Sequence, residues 1–354
     1  MKAVTVVPLE RDSAELTDVE EPGREPPETL LVEMICVGVC GTDREILAGE
    51  YGEPPPGRTR LVLGHESLGR VLAVPAGGDW SVGDLAVGIV RHPDPVPCPN
   101  CAVGEWDMCR NGRYTEHGIK GRDGFLRERY ALDPGHAVRI DPGLGELGVL
   151  LEPASVLAKA WEHIERIGAR ARFEPRTVLV TGGGPVGLLA AMMGRQKDLE
   201  VWILDRNRDG RKPELARRLG ARYATDVAEL GADRRFDVAL ECTGAGPLVI
   251  EVMRRLGPNG VACLTGVSSG GRTLEVDAAE LGREIVLENA AVFGSVNANR
   301  RHYERAAHAL ARADRDWLAG MITRRVPLPS WREALERGRD DVKVVITGPG
   351  AERR

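Results

Sequence analysis

Residues 177–191 read TVLVTGGGPVGLLAA. An apolar β-prone run ends in glycines, and a helix-forming run follows at once. Gly182, Gly184 and Gly187 stand in the pattern G-x-G-x-x-G between that strand and that helix, the context dinucleotide binding requires. In such a loop Gly182 allows the tight turn, Gly184 lets a pyrophosphate approach the backbone, and Gly187 lets helix and strand pack closely. Pro185 and Val186 open the helix, whose free N–H groups meet the phosphates. The end of the next strand, WILD, places Asp205 23 residues after Gly182. A carboxylate there accepts from the ribose hydroxyls and repels a 2′-phosphate, so NAD is the expected cofactor. Arg206 and Arg208 follow directly and could hold that phosphate, so NADP is the expected second cofactor.

Strand and helix alternate on both sides of the loop. A helical period covers 156–171, and strands are expected at 176–182, 199–205, 236–244 and 260–267. Helices are expected at 187–198, 213–221 and 247–257. This alternation implies a parallel sheet with crossover helices. Residues 1–150 differ. Short apolar runs at 4–7, 29–39, 67–74 and 84–90 lie between Gly- and Pro-rich turns, an all-β pattern. A helix at 302–313 and a strand at 342–348 close the chain. The expected fold class is α/β, with a β catalytic domain over 1–160 and 297–354 and a doubly wound nucleotide domain over 161–296.

The 354-residue length calls for two domains. The net charge is −5 and no basic stripe with interleaved aromatics occurs, so nucleic acid is not an expected partner. No apolar run reaches the roughly 18–20 residues of a membrane helix. The N-terminus turns charged by Glu10, unlike a secretory signal. Seven cysteines, four of them scattered, argue for a reducing compartment, and cytoplasm is the expectation.

Metal-ligand residues occur in two constellations. The first is Cys40 in VGVCGTDRE, His65 and Glu66 in LGHES, and Glu152 in LLEPAS. Cysteine and histidine with a carboxylate suit a catalytic zinc that keeps an open position. The second is PCPNCAVGEWDMC at 97–109, which offers Cys98, Cys101 and Cys109. A closed structural zinc site needs four ligands. The expected fourth is Asp94, with His92 as the other upstream candidate.

These pieces resemble the zinc-dependent medium-chain dehydrogenase superfamily: the CGTD turn at 40–43, GHE at 64–66, GGGPVG at 182–187 and ECTG at 241–244, in that order. The resemblance spans the whole chain. It implies a GroES-like β domain joined to a Rossmann domain, with Cys40, His65 and a carboxylate on the catalytic zinc. The three cysteines resemble the superfamily's four-cysteine lobe, with Pro95 where the first cysteine would stand. Thr243 of ECTG falls among the expected cofactor-binding residues. Homodimers or homotetramers built on the Rossmann sheet edge are implied, and 287–296 is a candidate for that edge.

The segments 40–46, 114–125, 150–156 and 295–303 are more narrowly similar to the glucose 1-dehydrogenase branch. That likeness places Glu152 at the zinc and Glu66 in or beside its ligand set. It gives the sugar contacts to Thr42, Glu116 and Asn297, with Glu152 beside them. Val156 replaces an acidic residue found in some relatives, which opens the question of epimer preference. The implied reaction is oxidation at the anomeric carbon of an aldose, glucose first and galactose second. Zinc polarises the anomeric hydroxyl, Thr42 carries the departing proton, hydride passes to nicotinamide, and a lactone results. Asp43 is expected to orient the local backbone. Two other functions compete: a sorbitol- or threonine-type dehydrogenase of another alcohol, and a non-catalytic NAD(P)H-binding relative.

Overall fold

Strand Thr177–Thr181 lies inside a six-stranded sheet in which every pairing is parallel. The computed structural model describes residues 1–23, 28–267 and 273–351. In spatial order the sheet runs Arg222–Ala224, Glu200–Leu204, Thr177–Thr181, Phe236–Glu241, Leu256–Leu264, Ala291–Gly294. Numbered in chain order this is 3-2-1-4-5-6, the doubly wound arrangement. Register is fixed by pairs such as Leu179 with Trp202 and Val180 with Leu240. The strands read as near-continuous apolar runs because helices cover parallel sheets on both faces. Leu179, Trp202, Phe236, Val252 and Leu256 share one buried cluster.

The order of strands reverses between Thr177–Thr181 and Phe236–Glu241. Such a switch point opens a crevice at the carboxyl ends of the strands, where ligands bind. The glycine loop 182–187 and the ECTG run both start there.

The chain divides into two units, residues 1–155, 297–311 and 322–354 in one and 156–296 and 312–321 in the other. The second unit holds the parallel sheet. It differs from the boundaries expected from sequence at two points. The helix Leu151–Gly168 is shared, with the division falling after Ser155. Residues 312–321, expected with the β domain, belong to the nucleotide unit. Trp317 of helix Arg315–Met321 is buried, and its Nε1 donates to the carbonyl of Leu215 at 2.9 Å. That contact fixes the segment on the helix Arg211–Arg218.

The first unit is built around strand Leu30–Gly38, which pairs with Glu66–Ala73, Arg129–Leu132 and Lys343–Thr347 in a seven-stranded sheet. The last strand of the chain thus returns to the interior of the first sheet, with Ile346 opposite Val37. Val32, Met34, Phe125, Tyr130, Trp331 and Ile346 contribute to its core. The unit is not wholly β. A helix, Gly41–Leu47, begins just after the central strand, where a turn was expected, and Cys40 is its N-cap. Among the described residues no helix is long and apolar enough to cross a membrane.

Candidate active site and cofactor loop

Cys40, His65 and Glu66 come together in the first unit. Their ligand atoms all lie within 4.8 Å of one another. Backbone pairing explains why. Gly38 and Glu66 are register partners on neighbouring strands, so the end of one strand delivers Cys40 beside the start of the other. Gly38 is also needed for space, since a Cβ there would stand 2.0 Å from Glu66 Oε2.

His65 is oriented from behind. Its Nδ1 faces Asp43 Oδ1 at 3.4 Å, and both groups are buried. Asp43 Oδ2 accepts the Cys40 N–H at 2.8 Å. Burial alone would raise the Asp43 carboxyl, but His65 and the Cys40 N–H outweigh it and hold it below its ordinary value. Burial likewise pushes His65 down, and the Asp43 charge, with hydrogen bonds donated to Asp43 and Cys40, lifts it well above its ordinary value. A carboxylate behind a ligand histidine fixes its tautomer and raises its basicity. Soft sulfur, imidazole and carboxylate, converging and braced in this way, fit zinc.

Glu152 lies outside that three-residue group. It sits in the first turn of helix Leu151–Gly168, near enough to His65, Glu66, Lys343 and Asp43 for their charges to act on it. Burial pushes its carboxyl up to about 7. Glu66, in turn, is not free. Lys343 Nζ reaches both of its oxygens, at 2.7 and 2.5 Å, and also the Val39 carbonyl at 3.2 Å. Lys343 was not foreseen. Its only signal was a lysine inside the apolar run VKVVITG, and a lysine is seldom buried unless paired. Thr42 is half-buried on the first turn of the short helix after Cys40.

Glu116 and Asn297 meet, 181 positions apart. Asn297 Nδ2 donates to Glu116 Oε1 at 2.7 Å, and both are buried. Arg91, the register partner of Glu116, donates to the same oxygen from Nε at 3.0 Å and lies 2.9 Å away through Nη2. All three contacts fall on Oε1, which leaves Oε2 for a ligand hydroxyl. Asn297 adopts φ +61°, a left-handed conformation that asparagine tolerates. Arg91 was also missed; its signal was a charged residue in an otherwise apolar stretch.

The sulfurs of Cys98, Cys101 and Cys109 form a second cluster, again within 4.8 Å of one another. Cys98 Sγ accepts backbone N–H groups from Arg110 and Cys101 at 3.4 and 3.5 Å. Those two bonds bring its thiol down to about 6, while burial raises Cys101 to about 11. N–H groups aimed at sulfur favour thiolate, the ligand form, so the three cysteines fit a zinc. The expected fourth ligand does not join them. The Asp94 carboxylate accepts from Asn111 Nδ2 at 2.7 Å, Val96 N at 2.9 Å and Arg113 Nε at 3.1 Å. It turns toward those donors because they offer three hydrogen bonds, one of them from a cation. His92 also stays outside, stacked on His136 with ring centroids 3.9 Å apart.

In the second unit the glycine loop has the expected form. Gly182 has φ +90°, and a Cβ on Gly187 would lie 1.8 Å from the Gly182 carbonyl oxygen. No atom stands within 4 Å of a Cβ placed on Gly184, so its face is open. Gly184 caps the helix Pro185–Arg195, with Pro185 at a first-turn position where its missing N–H costs nothing. Gly187→Ala is expected to weaken NADP binding more than about tenfold and destabilise the chain by about 1–3 kcal/mol through overpacking. Fluorescence titration and urea unfolding measure these, and wild-type values for both would contradict the packing argument.

Asp205 Oδ2 accepts the Gly183 N–H at 2.7 Å, and Oδ1 accepts that of Asn207 at 2.9 Å. Lys212 Nζ stands 3.4 Å from Oδ2. The carboxylate that would repel a 2′-phosphate is therefore partly neutralised, while Arg206 and Arg208 are exposed beside it. Thr243 Oγ1 donates to the buried Glu241 at 2.5 Å, and Thr181 donates to the same oxygen at 3.1 Å. Glu241 thus ties the ECTG turn to the strand that carries the glycine loop.

Comparison with known proteins agrees with this layout. The family model described as "Alcohol dehydrogenase GroES-like domain" matches residues 26–142, and "Glucose dehydrogenase C-terminus" matches 145–347. The chain is 38% identical to a glucose 1-dehydrogenase of Methanocella arvoryzae, over 98% of this chain and 99% of the relative. It is 41% identical to one of Thermoproteus tenax, with the same coverage. A solved Haloferax mediterranei glucose dehydrogenase, in complex with NADP, Zn and gluconolactone, superimposes with TM-score 0.89 at 32% identity, covering 98% of this chain and 99% of that one. The two-domain plan and the full-length likeness lead to one conclusion: the chain belongs to the glucose 1-dehydrogenase branch of the zinc-dependent medium-chain alcohol dehydrogenases.

Proposed function

We infer that this protein is a zinc-dependent glucose 1-dehydrogenase that passes hydride from the anomeric carbon of glucose to NAD(P) and releases the lactone. The observation that carries the reading is the convergence of Cys40, His65 and Glu66, braced by Asp43, in a chain with a complete dinucleotide loop. The relatives' names and the NADP, zinc and gluconolactone of the Haloferax structure support it.

Cys40, His65 and a carboxylate hold the zinc in this reading, which supplies a Lewis acid for the anomeric oxygen while nicotinamide accepts the hydride. Glu66 stays on Lys343, and Glu152, whose carboxyl burial pushes up to about 7, is the carboxylate that approaches the metal. Thr42 relays the proton leaving the anomeric hydroxyl: its oxygen takes that proton as its own hydroxyl proton passes on to solvent. Glu116 Oε2 and the Asn297 amide fix the remaining hydroxyls, and Arg91 holds the Glu116 carboxylate in place. The structural lobe holds its zinc through Cys98, Cys101 and Cys109.

For the cofactor, we propose that both are used. Asp205 favours NAD, and Arg206, Arg208 and Lys212 admit NADP. Initial rates with glucose, galactose and xylose against both cofactors test the reading. Glucose is expected to give the highest kcat/KM, and rates at background for every sugar would refute it. In the same assay Glu116→Gln should lower kcat/KM for glucose about 10–100-fold, the worth of a hydrogen bond to a charged group. An unchanged value would remove Glu116 from the sugar site.

We further propose a homodimer joined at strand Ala291–Gly294. It is one of the two edge strands of the parallel sheet, and Val286, Leu287 and Val296 are exposed around it. Sedimentation velocity should give twice the 38.4 kDa chain mass or a multiple of it, and a monomer would refute the contact. Seven free cysteines suit a reducing cytoplasm.

A further inference from the structure

The nucleotide unit carries a cleft that neither the cofactor loop nor the zinc ligands use. It lies where the C-terminal ends of helices Pro185–Arg195 and Arg211–Arg218 meet the start of helix Arg315–Met321. Its volume is about 380 Å³. Three guanidinium groups line it, Arg195, Arg218 and Arg312, and the single acidic residue is Asp314. Met192, Leu219 and Trp317 give it apolar walls.

Arginines near helix C-termini often serve the terminal carbonyls. Arg195 does so in part, since its Nη1 donates to the Leu199 carbonyl at 2.7 Å. Its Nε is buried with no hydrogen-bond partner among the described residues. The other two do not fit that explanation. Among the described residues Arg218 has one neighbour of opposite charge, Asp314 at 3.9 Å, beyond hydrogen-bond range. That carboxylate already accepts the Trp317 N–H at 2.6 Å. Arg312 Nη2 donates to the neutral Gln196 Oε1 at 3.2 Å. The cleft therefore gathers three positive charges against one negative charge that is committed elsewhere.

Guanidinium forks match the oxygen geometry of phosphate. The cavity volume lies within the usual range for small-ligand sites, about 300–1,000 Å³. Trp317 is held rigidly by its bond to Leu215, so the apolar wall is already in place. We propose that this cleft binds a small organic phosphate, its phosphate on Arg195, Arg218 and Arg312 and its carbon body against Trp317.

The test is calorimetric titration of the zinc-loaded enzyme, saturated with NADP to fill the cofactor site, with 3-phosphoglycerate as probe. Saturable binding at one site per chain is expected. The double variant Arg218→Gln/Arg312→Gln should bind at least about tenfold more weakly, with kcat/KM for glucose unchanged. Both side chains are solvent-accessible, and the single variant Arg312→Gln, expected to show an intermediate loss, provides a milder substitution. Inorganic phosphate should compete with the probe, and D-glycerate, which lacks the phosphate, should not bind. No saturable heat, equal binding by wild type and both variants, or equal binding of D-glycerate would each overturn the proposal.

Discussion

Cys40→Ser is expected to remove one of two zinc ions per chain and to lower kcat/KM for glucose by about 10³-fold or more, since Lewis-acid stabilisation is worth several kcal/mol. Serine keeps the size of the side chain but is a far poorer zinc ligand than thiolate. The capping box should survive, because Asp43 Oδ2 still accepts the backbone N–H of residue 40 and a serine hydroxyl can replace the sulfur as acceptor of the Asp43 N–H. Affinity for NADP should stay within about twofold of wild type, since the glycine loop belongs to a separate unit. Metal analysis with steady-state kinetics decides the matter. Turnover at the wild-type rate, or two zinc ions retained in the variant, would refute the assignment of Cys40.

Lys343→Met should destabilise the zinc-free protein by about 3–5 kcal/mol, the cost of leaving one partner of a buried ion pair unpaired. Lys343 and Glu66 are each about 2% exposed, so water cannot replace the lost ammonium. Adding Glu66→Gln to that variant should recover much of the loss, because it removes the stranded charge. The coupling between the two changes is then read from a double-mutant cycle in urea. Zinc should also restore part of the single variant's stability, since a carboxylate released from Lys343 becomes available to the metal beside Cys40 and His65. A single variant within about 0.5 kcal/mol of wild type would show that the pair carries no such role.

The contrast between these two residues shows what the sequence made legible. Cys40 could be read because its surroundings are local: a glycine turn, a neighbouring aspartate and a short motif. The same holds for the glycine loop, whose strand, turn and helix occupy consecutive residues. Lys343 is 277 positions from Glu66, and a lysine in an apolar run does not say which carboxylate it pairs with. Asp94 failed for the opposite reason. It is close in sequence to Cys98, but closeness along a loop does not fix which way a side chain turns. Arg113 and Asn111, further along the same loop, hold its carboxylate instead. Glu116 and Asn297 were found through likeness to relatives, whereas Arg91, which joins them, emerged only from strand register. Residues 312–321 were placed with the wrong neighbours because one buried tryptophan outweighs chain continuity.

The return of the final strand to the first sheet has a consequence for how the molecule is made. Strand Lys343–Thr347 lies beside a strand synthesised more than three hundred residues earlier. Domains generally fold as units while the chain emerges from the ribosome, N-terminal parts first. Here that order cannot hold for the metal-binding half. The residues that form the parallel sheet are all translated by Gly294, whereas the half begun first waits for the last strand to arrive. Until Lys343 emerges, Glu66 has no ammonium beside it, so the half of the enzyme started earliest is the half completed last.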